Sequence, residues 1–229
     1  MKAVLFDLFG TLVDNPTVAQ VGELHASVAS VLEVSPEEFA HGWSVTFQER
    51  SSGAFGSVEG AIVVAAMKCS KPYAEGGLAR AVRVRRDLTR GWLTPRKDAQ
   101  STLTEIRNRG FRTGLLSNCT QEVPELWSEN ILSTVIDVPL FSSIEFLRKP
   151  IPEFYERALA RLNVPPAECL FVADGDNGEL AAARRLGMPA VMIRPSDLLN
   201  DFRQTPEDDW DGPRIERLSE LLLTEFIKV

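Results

Sequence analysis

Short apolar runs recur along this chain, and each stops at a polar residue or a turn. AVLF at Ala3–Phe6 ends at Asp7, and TGLL at 113–116 ends at Ser117 and Asn118. VPLF at Val138–Phe141 ends at Ser142 and Ser143, LFVA at 170–173 at Asp174, and AVMI at Ala190–Ile193 at Arg194 and Pro195. Runs apolar throughout, rather than alternating, suit strands buried on both faces of a parallel sheet. Helical patterns lie between them. Residues 98–109 place Leu103 and Ile106 on one face and stop at Gly110; Pro152–Leu162 is another such pattern; 178–186 stops at Gly187. Glycine just past the last turn is an ordinary helix stop. The alternation predicts an α/β fold, a parallel sheet wrapped on both sides by helices.

Residues 16–90 break the alternation and read as helices. Ser35-Pro36-Glu37-Glu38 has the form of a capping box with proline at the first helical position. The stretch 57–68 is mostly apolar and helix-compatible, and RSSGAFGS at 50–57 is small and flexible. We therefore expect a helical cap over 16–90, inserted into a core formed by 1–15 and 91–229, with re-entry at GWLTP, 91–95. The acidic stretch 206–213 reads as a surface loop before a last helix over 214–227.

The chain has 229 residues, enough for one large domain or a domain with an insertion. A net charge of −7 excludes a general nucleic-acid binder, which needs excess Lys and Arg, but leaves room for a small anionic substrate. Cys69, Cys119 and Cys169 show no CxxC spacing and read as buried small residues of a reducing compartment. The first apolar run is too short for a signal peptide, and no stretch approaches the roughly 20 residues that span a bilayer. The expectation is a soluble cytoplasmic protein of open oligomeric state, with neither nucleic acid nor membrane as a partner.

In parallel sheets, ligands sit outside the carboxyl ends of the strands. Asp7, Ser117 and Asp174 stand at three such ends and should meet at one rim. Gly10-Thr11 makes a turn whose backbone N–H groups suit an anion. Ser117 and Asn118 add a hydroxyl and an amide, Lys149 and Arg148 add cations, and Asp174 and Glu179 further acids. A carboxylate nucleophile, an anion-binding hydroxyl, a cation and a second acid for a divalent metal form a working set for phosphoryl transfer. Asn118 reads equally as a turn residue or a substrate contact. Arg50, beside the glycine-rich stretch, is the cap residue expected to meet the substrate. Cys119 reads as structural, Asp176 as a turn residue, and Trp43, Phe47 and Phe55 as cap core. His25, His41 and Lys68 read as helix or surface residues.

These elements, in this order, resemble the haloacid dehalogenase superfamily of hydrolases. DLFGT at 7–11, LLSN at 115–118, RKPIPEFY at 148–155 and FVADGDNGELAAARRLGM at 171–188 are similar to its four motifs. The resemblance implies a Rossmann-like core with a cap between the first and second motifs. It implies that Asp7 is the nucleophile of a covalent aspartyl intermediate and that Ser117 binds the transferring phosphoryl group. Lys149 would neutralise charge on both. Mg²⁺ would lie between Asp7, the main-chain carbonyl of Phe9 and Asp174, with Glu179 positioning waters or Lys149.

Phe9 departs from the family's phosphatases, which carry an acid there to protonate the leaving oxygen and activate water. General acid–base help of that kind is worth about 10²–10⁴-fold. Three readings stand. One is a metal-dependent phosphohydrolase that acts on a good leaving group or borrows its acid–base from the cap, with Lys68 or Lys71 as candidates. Another is a metal-free 2-haloacid dehalogenase, a class with an aromatic at this position but without the acid that Asp174 supplies. The third is an idle family member serving as a binding scaffold.

Overall fold

The computed structural model describes residues 1–195 and 206–228. All five apolar runs form strands: β1 (Ala3–Phe6), β2 (Arg112–Ser117), β3 (Val138–Phe141), β4 (Cys169–Ala173) and β5 (Ala190–Ile193). A short sixth, β6 (Arg214–Ile215), joins them in one parallel sheet of order β3-β2-β1-β4-β5-β6. β1 therefore lies between β2 and β4. Phe6 stands opposite Leu115 on one side and Val172 on the other. The Asp7 N–H continues the ladder to the Val172 carbonyl at 2.9 Å. This register brings Asp7, Ser117 and Asp174 to one rim, as expected.

Strand periodicity divides the core between the two faces. Val4 and Phe6 join Leu103 and Ile106 of α6 (Ala99–Asn108) in one cluster. Ala3 and Leu5 join Phe154, Ala158 and Leu162 of α9 (Pro152–Leu162) in the other. The remaining core helices are short: α7 (Glu122–Leu126) after β2, α8 (Ser142–Glu145) after β3, and α10 (Glu179–Arg185) after β4.

Between β1 and α6 the chain forms α1 (Val18–Leu32), α2 (Pro36–Val45), α3 (Phe47–Ser51), α4 (Val58–Ala66) and α5 (Leu78–Trp92). A third apolar cluster is built from these helices, with Leu24, Val28, Phe39, Trp43, Ile62 and Val82 at its centre. Thr17 and Gln20 close a reciprocal capping box on α1. At α2 only half of the expected box forms. Ser35 Oγ accepts from the Glu38 N–H at 3.3 Å, but the Glu38 carboxylate accepts from the N–H and hydroxyl of Ser70 instead. α5 runs on through Trp92, so the loop expected at 91–95 opens only after it. Packing of α5 along α1 outweighs the modest helix cost of Gly91. No helix among the described residues is long and apolar enough to cross a membrane.

The last helix expected over 214–227 does not form. Arg214 and Ile215 pair with Met192 and Ile193, and 3₁₀ turns follow at Leu218–Leu223 and Glu225–Ile227. Ile215, Leu218 and Leu221, all buried, are spaced by three, which matches three residues per turn better than 3.6. The acidic stretch before them does form turns. Within it, the Glu207 carboxylate accepts from the N–H groups of Leu180 and Ala181, both at 3.0 Å, and caps α10.

Gly114 sits where β1, β2 and α9 meet. A Cβ there would lie 2.8 Å from Leu5 Cδ1 and 3.0 Å from Leu162 Cδ1. Gly114→Val is expected to destabilise the fold by about 1–3 kcal/mol through overpacking, read as a lower urea midpoint. An unchanged midpoint would show that this junction has slack.

Candidate active site

Asp7 leaves the buried end of β1, and the Lys149 ammonium reaches it from the loop before α9. Lys149 Nζ bonds Asp7 Oδ1 on one side and Glu179 Oε2, at 2.6 Å, on the other. All three are almost fully buried. Burial alone would lower the ammonium pKa, but Asp7 and Glu179 outweigh it and hold Lys149 above its ordinary value. Burial pushes the Glu179 carboxyl well up, Lys149 pulls it back, and Asp7 and Asp174 push it up further. The second Glu179 oxygen accepts from the N–H groups of Gly175 at 3.2 Å and Asp176 at 3.3 Å. Both oxygens of Glu179 are thus engaged in placing Lys149 and the loop after β4.

Asp174 closes the group. One carboxylate oxygen each from Asp7, Asp174 and Glu179 lie within 4.8 Å of one another. Asp7 and Asp174 add carboxylate oxygens beside the Lys149–Glu179 pair, and oxygen donors at this spacing suit a hard divalent cation. The donor set therefore fits Mg²⁺. Asn15 Nδ2 donates to Asp174 Oδ2 at 2.9 Å and fixes its orientation. Gly10, at φ +79°, is required at its place: a Cβ there would stand 2.2 Å from Asp174 Oδ2.

The residues of the second motif divide. Ser117 Oγ is fully buried and has no partner of hydrogen-bonding geometry, with the Cys119 thiol beside it. Asn118 uses its amide on the backbone of residue 149, donating to the Lys149 carbonyl at 3.0 Å and accepting its N–H at 2.8 Å. This pair of hydrogen bonds fixes the end of β2 to the Lys149 loop, whose Lys149–Pro150 peptide is cis. Thr11 Oγ1 donates to Asp7 Oδ2 at 3.3 Å. Cys119 is a buried thiol pushed up to about 12, chiefly by desolvation, and so is not a nucleophile near neutral pH.

A cavity of about 670 Å³ opens over this rim. Asp7, Phe9, Asn118, Lys149, Asp174 and Glu179 line its floor; Gly10, Thr11 and Ser117 lie behind the lining. The helices between β1 and α6 supply the other wall. Arg50 is on it. So are Trp43, Phe47 and His25, which the sequence assigns only to packing or helix surface. Asp176, expected as a turn residue, caps the Asn177 N–H at 2.9 Å and also reaches the wall. Lys68 and Lys71 are exposed and away from the lining, so neither replaces the acid missing at Phe9 in this conformation.

Asn15, Arg85 and Glu122 are among the lining residues that escape the sequence reading. Arg85 Nη2 pairs with Glu122 at 2.5 Å, both side chains buried, and joins α5 to α7. Burial would raise the Glu122 carboxyl, but Arg85 holds it below the usual range. A signal for Arg85 exists. With Leu78, Ala81, Val82 and Thr89 it falls on the i, i+3, i+4, i+7 stripe of α5, where a charged residue is out of place unless paired.

A haloacid dehalogenase-like hydrolase family profile matches residues 1–187. A glyceraldehyde 3-phosphate phosphatase from Methanopyrus kandleri is 29% identical over 63% of this chain and 62% of its own length. The match thus spans about three fifths of that relative. Among solved structures, a HAD family enzyme from Bacteroides thetaiotaomicron, in complex with magnesium and inorganic phosphate, superposes with a TM-score of 0.69. It is 14% identical, covering 86% of this chain and 96% of that one. An L-2-haloacid dehalogenase from Xanthobacter autotrophicus, with chloropropionic acid covalently bound, gives a TM-score of 0.65 at 21% identity, covering 97% of this chain and 98% of that one. At these identities the structural likenesses establish the fold alone.

Mg²⁺ at about 100 times its Kd should stabilise the protein by about 2.7 kcal/mol, read as a raised thermal midpoint. Asp174→Asn should lose most of that shift. Equal shifts in both proteins would remove Asp174 from the ligand set.

Proposed function

The chain belongs to the haloacid dehalogenase-like hydrolases, and from that premise we propose that it is a Mg²⁺-dependent phosphohydrolase acting through a covalent aspartyl phosphate on Asp7. The observation that carries this reading is the cluster of Asp7, Asp174 and Glu179 at the floor of the cavity, with Lys149 between Asp7 and Glu179. A dehalogenase of the metal-free kind would have no use for Asp174. An idle scaffold would have no use for a buried ammonium held between two buried carboxylates at the end of the central strand. The phosphatase relative supports the same choice. Residues 16–90 would act as the cap, closing a small phosphorylated substrate into the cavity of a cytoplasmic enzyme.

Each residue then has a task. Asp7 attacks phosphorus in line, and the bond to the leaving oxygen breaks. Lys149 keeps Asp7 ionised and offsets charge on the phosphoryl oxygens, while Glu179 fixes the ammonium. Ser117 Oγ and the N–H groups of the turn after Asp7 would receive phosphoryl oxygens on a small closing movement. When bound by Asp7, the Phe9 carbonyl and Asp174, Mg²⁺ would supply electrostatic stabilisation of the transferring group. Water then attacks the phosphorus of the aspartyl phosphate, freeing Asp7 and inorganic phosphate.

Phe9 has no proton to give the leaving oxygen and cannot take one from the attacking water. The chemistry should therefore favour leaving groups stable as anions. Acyl and aryl phosphates should be hydrolysed about 10²-fold faster than alkyl phosphates, and Phe9→Asp should narrow the gap. Equal rates on both classes would show that another group supplies the proton. Asp7→Asn should abolish turnover while leaving the circular dichroism spectrum unchanged. A turning-over Asp7→Asn protein would sink the covalent mechanism.

A further inference from the structure

The wall opposite Asp7 holds more positive charge than its own residues balance. Arg50, on α3, is 4% exposed. Its Nη1 donates to the Trp43 carbonyl at 2.5 Å and to Thr46 Oγ1 at 3.0 Å, both neutral acceptors. Its Nε has no partner, and among the described residues no carboxylate forms an ion pair with it. Arg85 is paired through Nη2 with Glu122, but its Nε and Nη1 also lack partners. Both guanidiniums lie against the Trp43 ring, 3.8 and 3.7 Å from its centroid. Two buried guanidiniums thus share one buried carboxylate.

The imbalance is not relieved by titration. Burial pushes Arg50 down to about 9, with Arg85 adding to the shift, which still leaves it charged near neutral pH. His25, whose ring is 6.2 Å from that of Trp43, is pushed down to about 4 by burial and by Arg85 and Arg50, and adds no charge of its own. Glu49, the acid next in sequence to Arg50, is solvent-exposed. An unpaired buried charge is strongly disfavoured, and a guanidinium fork is shaped for carboxylate or phosphate. Arg50, Arg85 and Trp43 line the same cavity as Asp7 and Lys149.

We propose that Arg50, together with Arg85, forms a second anion subsite in this cavity, so that the substrate is a small phosphorylated compound bearing a further anionic group, a carboxylate or a second phosphoryl. The phosphoryl to be cleaved sits at Asp7, so the proposal rests on the phosphohydrolase reading. Arg50 is then the residue that selects bis-anions. A purely structural Arg50, tying α2 to α3, would have no reason to discriminate among substrates.

The test compares three matched three-carbon compounds: glycerol 3-phosphate with its neutral tail, 3-phosphoglycerate with a carboxylate, and glycerol 1,3-bisphosphate with a second phosphoryl group. At least one bis-anion should exceed glycerol 3-phosphate in kcat/KM by about tenfold or more, the worth of a charge-assisted pair. Which one does so identifies the anion. Arg50→Met should bring the ratio to about one, and Arg50→Lys, which keeps the charge but not the fork, should leave it between. Should the Met variant fail to fold, the Lys variant carries the test. A ratio near one in the wild type, or a ratio unmoved by the Arg50 variants, overturns the subsite. Absence of phosphate release from all three compounds and from acetyl phosphate would overturn the phosphohydrolase reading instead. The subsite is then decided by calorimetric titration of the same compounds in chelator, where tighter binding of a bis-anion, lost on Arg50 substitution, sustains it and equal binding refutes it.

Discussion

One ammonium group organises the candidate site. Lys149 Nζ lies between Asp7 and Glu179 in a place nearly closed to water, and each partner depends on it. Without that charge, Asp7, Asp174 and Glu179 would bring three carboxylates within a few ångströms of one another with nothing to balance them. Several features of the fold serve this contact. β1 is central, so Asp7 is flanked by the ends of β2 and β4. Asn118 holds the backbone of residue 149 from the end of β2. Glu179, at the start of α10, bonds back to the loop after β4, and Glu207 caps the same helix from a distant segment. Asp7, Lys149 and the acids beside them are therefore placed from the ends of β1, β2 and β4 of one sheet.

The opposite wall is held by charge as well. Along α5, Arg85, Arg86 and Arg90 face Glu122, Glu125 and Glu129 in the segment that follows β2. The outer two pairs are largely exposed and contribute little. The inner pair is buried, so losing either partner would strand a charge beside the cavity. The segment that carries the second motif is thereby fixed to a helix of the insertion. The position of the Trp43 wall over Asp7 is consequently coupled to the charge state of a few buried side chains.

Much of this arrangement is legible in the sequence. The strand runs, their order and the rim at Asp7, Ser117 and Asp174 follow from uninterrupted apolar stretches with polar stops, because burial on both faces leaves no alternative pattern. What escapes is set by contacts remote in sequence. Ile215, Leu218 and Leu221 look helical until the edge of β5 and the core beneath them select a strand and a three-residue spacing. The Glu38 carboxylate leaves its capping box because Ser70, 32 residues on, offers two donors. Asn118 has the composition of a substrate contact but is engaged with a backbone 31 residues away. Arg85 sits in a run of arginines, and only its place on the apolar stripe of α5 sets it apart from them.

The central claim is that Asp7 carries a phosphoryl group during turnover, without an acid at position 9. Acid-quenching the protein milliseconds after mixing with acetyl phosphate and Mg²⁺, followed by peptide mass spectrometry, tests it most directly. The account predicts one phosphoryl group on the peptide containing Asp7, absent when chelator replaces Mg²⁺. Phosphate release with that peptide unmodified throughout would contradict it.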